Sequence, residues 1–244
     1  MVLAENGDEV VGFAGVYDHG DLTYLADAFV HPDRVGRGIG RAILEAILSD
    51  SAVRATFASS DPRALPLYAR FGMRPIMPLL YLSGTAEAVN RIPLDHSNTR
   101  EVSLEPDLDV VIDLDAEASG RRRPLEHEFL LTLPGTSALI VRTGHRATAY
   151  GYVRLVVPEG ANEPEAFIGP CGGQTEDDLA LITEAAIHHA AHAASPIHLP
   201  VFGLHPGFGA LLQAGFRIDG QDMFMASHPG LLDGRRYAPS PEFG

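Results

Sequence analysis

The stretch that decides the fold is Phe29-Val30-His31-Pro32-Asp33-Arg34-Val35-Gly36-Arg37-Gly38-Ile39-Gly40-Arg41. The residues from Leu22 to Val30 are largely β-branched, aromatic or apolar, which predicts a strand. Over Gly38–Leu48, apolar residues recur at helical spacing, which predicts a helix. A strand, a glycine-dense loop and a helix start together favour an anion site, because glycines let backbone N–H groups turn inward and the helix dipole adds positive potential. Arg37 and Arg41 would add charge to this site.

Two common phosphate-binding loops do not fit the stretch. A Walker loop needs Gly-Lys-Ser/Thr, and the chain contains no lysine. A dinucleotide-binding fold needs Gly-x-Gly-x-x-Gly and an acidic residue at the end of the next strand. Here the glycines are Gly36, Gly38 and Gly40, and no acidic residue is suitably placed. A turn without a ligand is the remaining alternative to an anion site of another kind.

The sequence around this loop predicts an α/β unit. Strands are predicted over Glu9–Tyr17, Val53–Ala58 and Pro75–Leu82. A helix is predicted over Pro62–Phe71, and Gly72 ends it.

The landmarks of this unit recur later in the chain, displaced by 138 to 143 residues. The matching pairs are Val11-Gly12-Phe13-Ala14 with Tyr150-Gly151-Tyr152-Val153, Phe29–Pro32 with Phe167–Pro170, and Phe71–Arg74 with Ala214–Arg217. Three landmarks in one order indicate two copies of the same unit. For the second copy we predict strands near 137–143, 147–156, 165–169, 197–202 and 216–226, and helices near 175–193 and 206–214.

The second copy has a segment that the first copy lacks. Residues 100–138 predict a strand and two helices, near 108–118 and 121–132. By the repeat offset, Met1 aligns near Ile140, so we expect the first copy to begin in mid-domain. Either the chain starts later than the natural gene product, or another part of the molecule supplies the missing layer of the first copy.

These patterns predict four regions along the chain. Residues 1–84 form the first unit, 85–99 a polar linker and 100–232 the second unit. Residues 233–244 are punctuated by glycine and proline, which predicts a disordered tail.

Composition limits the class of protein. The chain has 244 residues, of which 45% are hydrophobic and 20% charged, as in ordinary globular proteins. No run approaches the roughly 20 apolar residues of a membrane helix, and no secretory signal follows Met1, so we expect a cytoplasmic protein. One cysteine excludes a disulfide framework and a multi-cysteine zinc site. A net charge of −14 argues against nucleic acid and favours cationic ligands such as amines.

The deciding stretch resembles the acyl-CoA pyrophosphate loop of the GNAT N-acetyltransferase superfamily. That loop usually reads Gln/Arg-x-x-Gly-x-Gly/Ala after a strand ending in Val-x-Pro. Val30-x-Pro32, Gly38 and Gly40 match. Val35 stands where Gln or Arg is usual, and we expect this departure to weaken binding modestly because most contacts there use backbone N–H groups.

A second motif supports the resemblance. Asp61-x-x-Ala64-x-x-Leu67-Tyr68-x-x-x-Gly72 is similar to the family's later helix, beside the pantetheine arm. The family often has Asn where Asp61 stands, and its tyrosine commonly protonates the departing CoA thiolate, a role that falls on Tyr68. The resemblance therefore assigns acetyl-CoA binding to Phe29, Val30, His31, Val35, Gly36, Arg37, Gly38, Ile39, Gly40, Arg41, Asp61, Ala64 and Tyr68.

The resemblance also implies a fold and a mechanism. Each unit would be a mixed, mostly antiparallel twisted sheet flanked by helices, and the first unit would lack its initial strand and two helices. The acetyl group would pass directly from acetyl-CoA to an amine, without a metal. The backbone N–H of Val30 would stabilise the developing oxyanion. Asp27 or a water chain would take the amine's proton. As alternatives, Asp27 is a solvated carboxylate and Tyr68 a packing residue.

The second copy resembles the degenerate half of tandem GNAT proteins. Aligned on Pro32 and Pro170, Gly38 and Gly40 fall on Glu176 and Asp178, whose carboxylates would repel a pyrophosphate. These acids instead suit a first helical turn after Thr175 as N-cap. Dimerisation, covering the active copy, or binding a small ligand beside 167–170 and 121–132 are the roles we expect.

Other candidate residues carry weaker signals. His188 and His192 lie at metal-ligand spacing, but no third ligand is evident, and histidines also suit a helix C-terminus. Cys171 is either a reactive thiol or a buried, inert one. Arg121-Arg122-Arg123 would pair with Glu126, Glu128 or Asp115, or capture an anion.

Three functions remain open from the sequence. The first is an N-acetyltransferase acting on a primary amine of a small molecule or a peptide N-terminus. The second is a non-catalytic acyl-CoA-binding or regulatory protein. The third is a structural protein with both copies inert, with a homodimer as one form. The intact Gly38/Gly40 loop argues against the third, and Tyr68 favours the first over the second.

Overall fold

The computed structural model describes residues 1–20, 22–48, 53–92, 100–104 and 107–240. These residues form two compact units, the first from residues 1–77 and 222–230 and the second from 78–221 and 231–240. The strands are β1 (Val2–Asn6), β2 (Glu9–His19), β3 (Leu22–Val30), β4 (Val53–Ala58), β5 (Arg74–Gly84), β6 (Arg100–Ser103), β7 (Thr136–Thr143), β8 (Arg146–Val156), β9 (Glu165–Gly173), β10 (Ile197–Phe202), β11 (Arg217–Ala226) and β12 (Tyr237–Ala238). The helices are α1 (Ile39–Ile47), α2 (Ala64–Ala69), α3 (Ala86–Val89), α4 (Leu108–Ser119), α5 (Pro124–Thr132), α6 (Glu176–Ala191) and α7 (Phe208–Ala214).

The first unit is a mixed sheet with helices α1 and α2 on one face. Strands β1, β2 and β3 are antiparallel neighbours, β4 runs parallel to β3, and Met223–Ala226 of β11 pairs antiparallel with β4. The helices bury apolar side chains against the sheet because α1 has its apolar residues on one stripe. This core includes Ala14, Leu25, Ile43, Leu44, Leu48, Tyr68, Met73 and Met225.

The strands β3 and β4 pair along only part of their length. Their ladder covers Leu22–Leu25 of β3 and ends at the pair Leu25↔Thr56, although β3 continues to Val30. We call the space beside Ala26–Val30, on the β4 side, the first wedge. The strand β3 also has a bulge at this point, since its register with β2 shifts between Gly15 and Val16. A bulge re-aims the residues that follow it, which are the last residues before the glycine loop.

The second unit is a larger mixed sheet with helices on both faces. Its strand order is β5 (as Leu79–Gly84), β10, β9, β8, β7 and β6, and β12 pairs with β9. Adjacent residues of β9 point to opposite faces. A Cβ added to Gly172 would lie 2.8 Å from Ala118 of α4, whereas Cys171 packs in the core that contains α6. Helices α4 and α6 therefore cover opposite faces of this sheet.

Two glycines at equivalent places confirm the internal repeat. A Cβ on Gly12 would lie 2.9 Å from Ile43 of α1, and a Cβ on Gly151 would lie 3.0 Å from Ile182 of α6. Each glycine thus lets the helix that follows the central strands pack closely on the sheet. The described residues of the first unit include no counterpart of β6, α4 and α5.

The last strand of each repeat pairs outside its own repeat. Leu79–Gly84, at the end of the first repeat, pairs with β10, and Met223–Ala226, at the end of the second, pairs with β4. The compact units consequently divide the chain at Met77 and Asp222 rather than at the repeat boundaries. The regions 1–84 and 100–232 describe the repeats and remain predictions as domains.

Two predictions of irregular structure need correction. Residues 85–92 of the predicted linker contain α3, and Ala88, Val89 and Ile92 are buried in the core of the second unit; residues 93–99 lie outside the described residues. The predicted disordered tail is ordered up to Ser240, because Tyr237 and Ala238 pair with Gly172 and Cys171 and are buried. Residues 241–244 lie outside the described residues.

Candidate functional site

The glycine loop of the first unit joins β3 to α1 through two left-handed glycines. After the 3-10 turn Pro32–Arg34, Gly36 has a φ of 81° and Gly38, the residue before α1, a φ of 83°. L side chains rarely adopt these angles, so glycine is required at both positions. The first helical hydrogen bond runs from Ala42 N–H to the Gly38 carbonyl. The amides of Ile39, Gly40 and Arg41 therefore have no acceptor one turn earlier within the helix.

Gly40 brings three elements together at the start of α1. A Cβ on Gly40 would lie 3.5 Å from Val30 Cγ2 and 3.5 Å from Leu67 Cδ2. The end of β3, the start of α1 and helix α2 thus meet at this glycine. Leu67 was not a predicted site residue; its position beside Tyr68 in the second motif was the available signal.

The backbone of Val30 is directed into the first wedge. His31 N–H donates to the Val11 carbonyl of β2 at 2.9 Å. Successive residues of a strand direct their N–H groups to opposite edges. The Val30 N–H therefore points away from β2, toward the open edge that begins where the β3–β4 ladder ends. This is the placement that a backbone oxyanion donor needs.

Tyr68 lies on α2 in the core of the first unit. Its side chain is buried, with Ala64 one turn earlier on the same helix. Burial raises the pKa of the Tyr68 phenol, and the negative charges of Asp61 and Asp222 raise it further. The phenol therefore keeps its proton at neutral pH, as a general acid must.

The charged residues of both motifs are held by neighbouring side chains. Asp61 accepts hydrogen bonds from Arg63, through the backbone N–H at 2.8 Å and the guanidinium, and its carbonyl accepts from Ala64 N–H. The Arg63 guanidinium lowers the pKa of Asp61 to about 2. Asp61 thus lies in the turn that precedes α2. Arg41 pairs with Glu45 one turn along α1, at 2.7 Å.

The remaining predicted site residues lie along the same strand and loop. Asp27 and Phe29 are exposed, and the Phe29 ring is tilted by 30° against that of Phe13, with centroids 5.9 Å apart. His31 Nδ1 accepts from Asp33 N–H at 3.3 Å. Val35 ends the 3-10 turn in an extended conformation. Their roles toward a ligand remain predictions.

A cavity of ≈ 350 Å³ lies beside the loop in the first unit. Its lining consists of Ala4, Glu5, Asn6, Val11, Arg34, Arg37, Ile39 and Ala42. Arg37 was predicted to bind the anion, whereas Arg34 was not; Arg34 is also paired with Glu9 at 3.2 Å. Since neither Val30 nor Tyr68 lines this cavity, it is not the place where the two meet a reacting group.

The family of the first unit follows from a sequence match to this region. Residues 1–74 match the family model described as an acetyltransferase (GNAT) domain. Residues 1–74 are a GNAT acetyltransferase domain. This GNAT domain contains β1, the glycine loop, α1 and Tyr68. A 76-residue stretch, 30% of this chain, is 41% identical to the mycothiol acetyltransferase of Nocardia farcinica. The match spans a quarter of that relative's length.

Solved structures show the same fold over nearly the whole chain. A putative acetyltransferase from Pyrococcus horikoshii superposes with a TM-score of 0.69 and 16% identity, covering 97% of this chain and 77% of that one. A tandem GNAT protein from the clavulanic acid biosynthesis pathway superposes with a TM-score of 0.60 and 16% identity, covering 93% of this chain and 82% of that one. The chain therefore has a tandem GNAT fold, with the GNAT domain in its first part.

The second unit differs from the GNAT domain at the glycine loop. Gly12 pairs with Val30, and Gly151 pairs with Cys171, so Cys171 is the structural counterpart of Val30. The predicted alignment of Pro32 with Pro170 is therefore wrong by three residues, because β9 continues to Gly173. Only Gln174 and Thr175 separate β9 from α6, where residues 31–38 separate β3 from α1. The second unit has no counterpart of the loop, and Glu176 and Asp178 belong to a helix capped by Thr175.

A buried polar cluster occupies the face of the second unit beneath α4 and α5. We define it as Asp115, Arg123, His127, Tyr150, Tyr152 and Tyr237, all of them fully buried. Asp115 accepts from the Arg123 guanidinium at 2.7 and 2.9 Å and from the Tyr150 hydroxyl, and lies 3.0 Å from His127 Nε2. Burial opposes ionisation of Asp115, but Arg123 and His127 outweigh it and hold its pKa well below the ordinary value. The expected pairing of Arg123 with Asp115 is formed.

Asp115→Asn should lower the free energy of unfolding by about 3–5 kcal/mol at pH 7, measured by urea titration, because it leaves the buried Arg123 charge uncompensated. The matched control is Asp113→Asn on the same helix, since Asp113 pairs with Arg122 at 2.6 Å in solvent. We expect the control to change the stability by less than about 1 kcal/mol. The native charge of Asp115 stabilises the fold fully above the unfolded-state pKa of aspartate, and this stabilisation is lost as the pH falls toward and through the lower folded-state pKa. Equal losses in the two variants would contradict this account.

The other candidates show structural roles. Cys171 is buried, and burial raises the pKa of its thiol to about 12, which agrees with an inert cysteine. His188 Nε2 lies 3.2 Å from the Ile92 carbonyl. Over the part of the chain that the structure describes, no three His, Cys, Asp or Glu side chains are grouped for a metal ion. Within the same residues, no helix has the length and hydropathy needed to cross a membrane.

Proposed function

We propose that the GNAT domain transfers an acetyl group from acetyl-CoA to a primary amine of a small molecule or a peptide N-terminus. The observation that carries this proposal is the meeting of β3, the glycine loop and α2 at Gly40, with the Val30 N–H directed into the first wedge. The left-handed loop and the amides at the start of α1, which have no acceptor within the helix, fit a diphosphate. A thioester lying in the wedge would place its carbonyl oxygen at the Val30 N–H.

The chain's residues would divide the reaction between them. The glycine loop binds the acyl donor through backbone amides, and the Val30 N–H stabilises the oxyanion that forms when the amine attacks the thioester carbon. Tyr68 donates its proton to the departing thiolate. Asp27, exposed on β3, or a water chain takes the proton released by the amine. No metal takes part in this proposal.

The acceptor is proposed from one relative. The matching Nocardia farcinica protein is named a mycothiol acetyltransferase, so the amine acceptor of that enzyme is the first acceptor to test. Thiol release from acetyl-CoA would be measured with this amine, with simple primary amines and with peptide N-termini. Thiol release that depends on an amine and on Tyr68 would support the proposed N-acetyltransferase activity. Binding of acetyl-CoA without release by any amine would favour the non-catalytic acyl-CoA-binding protein.

A further inference from the structure

The second unit has a wedge like the first, but a strand of the same chain fills it. The ladder between β9 and β10 is short and consists of Ala166 and Phe167 with Ile197 and His198. Beyond it, β9 continues to Gly173, as β3 continues beyond its ladder with β4. Here Tyr237 and Ala238 pair antiparallel with Gly172 and Cys171. We call Arg236–Ser240 the closing strand.

The closing strand forms hydrogen bonds with the backbone of β9 on the wedge side. Gly173 N–H donates to the Arg236 carbonyl at 2.9 Å, and Arg236 Nε donates back to the Gly173 carbonyl at 3.3 Å. A Cβ on Gly169 would lie 2.8 Å from the Pro239 carbonyl oxygen, so glycine is needed for this close approach. Since Cys171 is the counterpart of Val30, the closing strand lies against the edge that corresponds to the proposed acyl-donor site of the GNAT domain.

Tyr237 anchors the closing strand in the buried polar cluster. Arg123 Nη2 donates to the Tyr237 hydroxyl at 2.9 Å. The guanidinium carbons of Arg121 and Arg123 lie 5.9 and 5.6 Å from the centroid of its ring, within cation–π range. The side chain is completely buried. The Tyr237 side chain is therefore enclosed, hydrogen-bonded and flanked by two cations, as a ligand is in a binding pocket.

We propose that the wedge between β9 and β10 is a binding groove for an extended, tyrosine-anchored peptide, and that residues 236–240 of the chain are its ligand. Backbone pairing supplies the affinity of such β-addition, and the tyrosine pocket supplies the selectivity. The second unit therefore holds its own chain where the GNAT domain would hold acetyl-CoA. The proposal stands apart from the activity of the GNAT domain, because its test uses neither acetyl-CoA nor an amine.

Cys171 reports directly on the closing strand because it is the chain's one cysteine and pairs with Ala238. The full-length chain with Tyr237→Ala is labelled with a small thiol reagent and compared with Tyr17→Ala, an exposed tyrosine in the first unit. We expect Cys171 to react at least about tenfold faster in Tyr237→Ala than in Tyr17→Ala, since local opening exposes it. A free peptide of residues 233–240 should restore protection, and the same peptide carrying the Tyr237→Ala change should not.

The two readouts can each overturn the proposal. If Cys171 stays protected in Tyr237→Ala, the tyrosine does not hold the strand in the groove. If Cys171 becomes reactive and the peptide does not restore its protection, the closing strand is a fixed part of the fold and not a ligand. If Tyr237→Ala fails to fold, Tyr237→Phe replaces it, because phenylalanine keeps the ring and loses only the hydroxyl that Arg123 binds. The same labelling and peptide measurements on Tyr237→Phe then test the proposal.

Discussion

Gly38→Glu is expected to weaken acetyl-CoA binding by at least about 100-fold, measured by titration calorimetry. The substitution puts a carboxylate at the start of α1, where the proposed diphosphate would meet the first backbone amides of the helix. Like charges at close range repel strongly in a partly desolvated site. It also strains the backbone, because Gly38 has a φ of 83° and an L residue in this region costs about 1–2 kcal/mol.

Gly7→Glu is the control for Gly38→Glu. It distinguishes the effect of a charge at the proposed site from the effects of backbone strain and of a changed net charge. Gly7 lies in the turn between β1 and β2, has a φ of 66° and has open space around its Cβ position. The control therefore carries the same added charge and a similar strain, away from the loop. We expect its acetyl-CoA affinity to match the wild type while both variants lose similar thermal stability. Equal losses of affinity in both would show that Gly38 does not contact the acyl donor.

Tyr68→Phe is expected to lower kcat by about 100-fold and to leave the Kd for acetyl-CoA unchanged. General acids typically contribute factors of this size or larger, and phenylalanine keeps the apolar packing of the ring in the core of the first unit. Because burial raises the pKa of the Tyr68 phenol, the wild-type activity should not fall with rising pH until above the ordinary range of tyrosine. Thiol release from acetyl-CoA measures both effects.

The control for Tyr68→Phe is Tyr17→Phe, at a partly exposed tyrosine of β2. It should leave kcat and the melting temperature at wild-type values. If Tyr68→Phe turns over as fast as wild type, with its melting temperature unchanged, the tyrosine only packs and another group or water protonates the leaving thiolate. A loss of kcat together with a large loss of stability would indicate misplacement of α2 instead of a missing acid.

The local elements of the site could be predicted from sequence because their signals are local. The predicted bounds Leu22–Val30, Val53–Ala58 and Ile197–Phe202 agree with β3, β4 and β10, since apolar and β-branched runs bounded by turn residues identify strands. Helix α1 (Ile39–Ile47) lies within the predicted Gly38–Leu48, and Thr175 caps α6 as predicted, with Asp178 in a capping box.

Features set by distant partners could not be predicted in this way. Strand β12 is two residues long and exists because β9 offers it an edge, so its glycine- and proline-rich surroundings predicted disorder. The pairing of Leu79–Gly84 with β10 depends on strands more than 110 residues apart, and no local pattern encodes it. The repeat alignment failed at Pro170 because that proline lies within β9, whereas Pro32 lies just beyond the end of β3.

The measurement that tests the account most directly is the stoichiometry of acetyl-CoA binding to the wild-type chain, by isothermal titration. The account predicts one site per chain, in the GNAT domain, and its loss in Gly38→Glu. Two sites would contradict the conclusion that the second unit lacks the loop and is filled by its own closing strand. No binding would contradict the central claim that β3, the glycine loop and α2 form an acyl-CoA site.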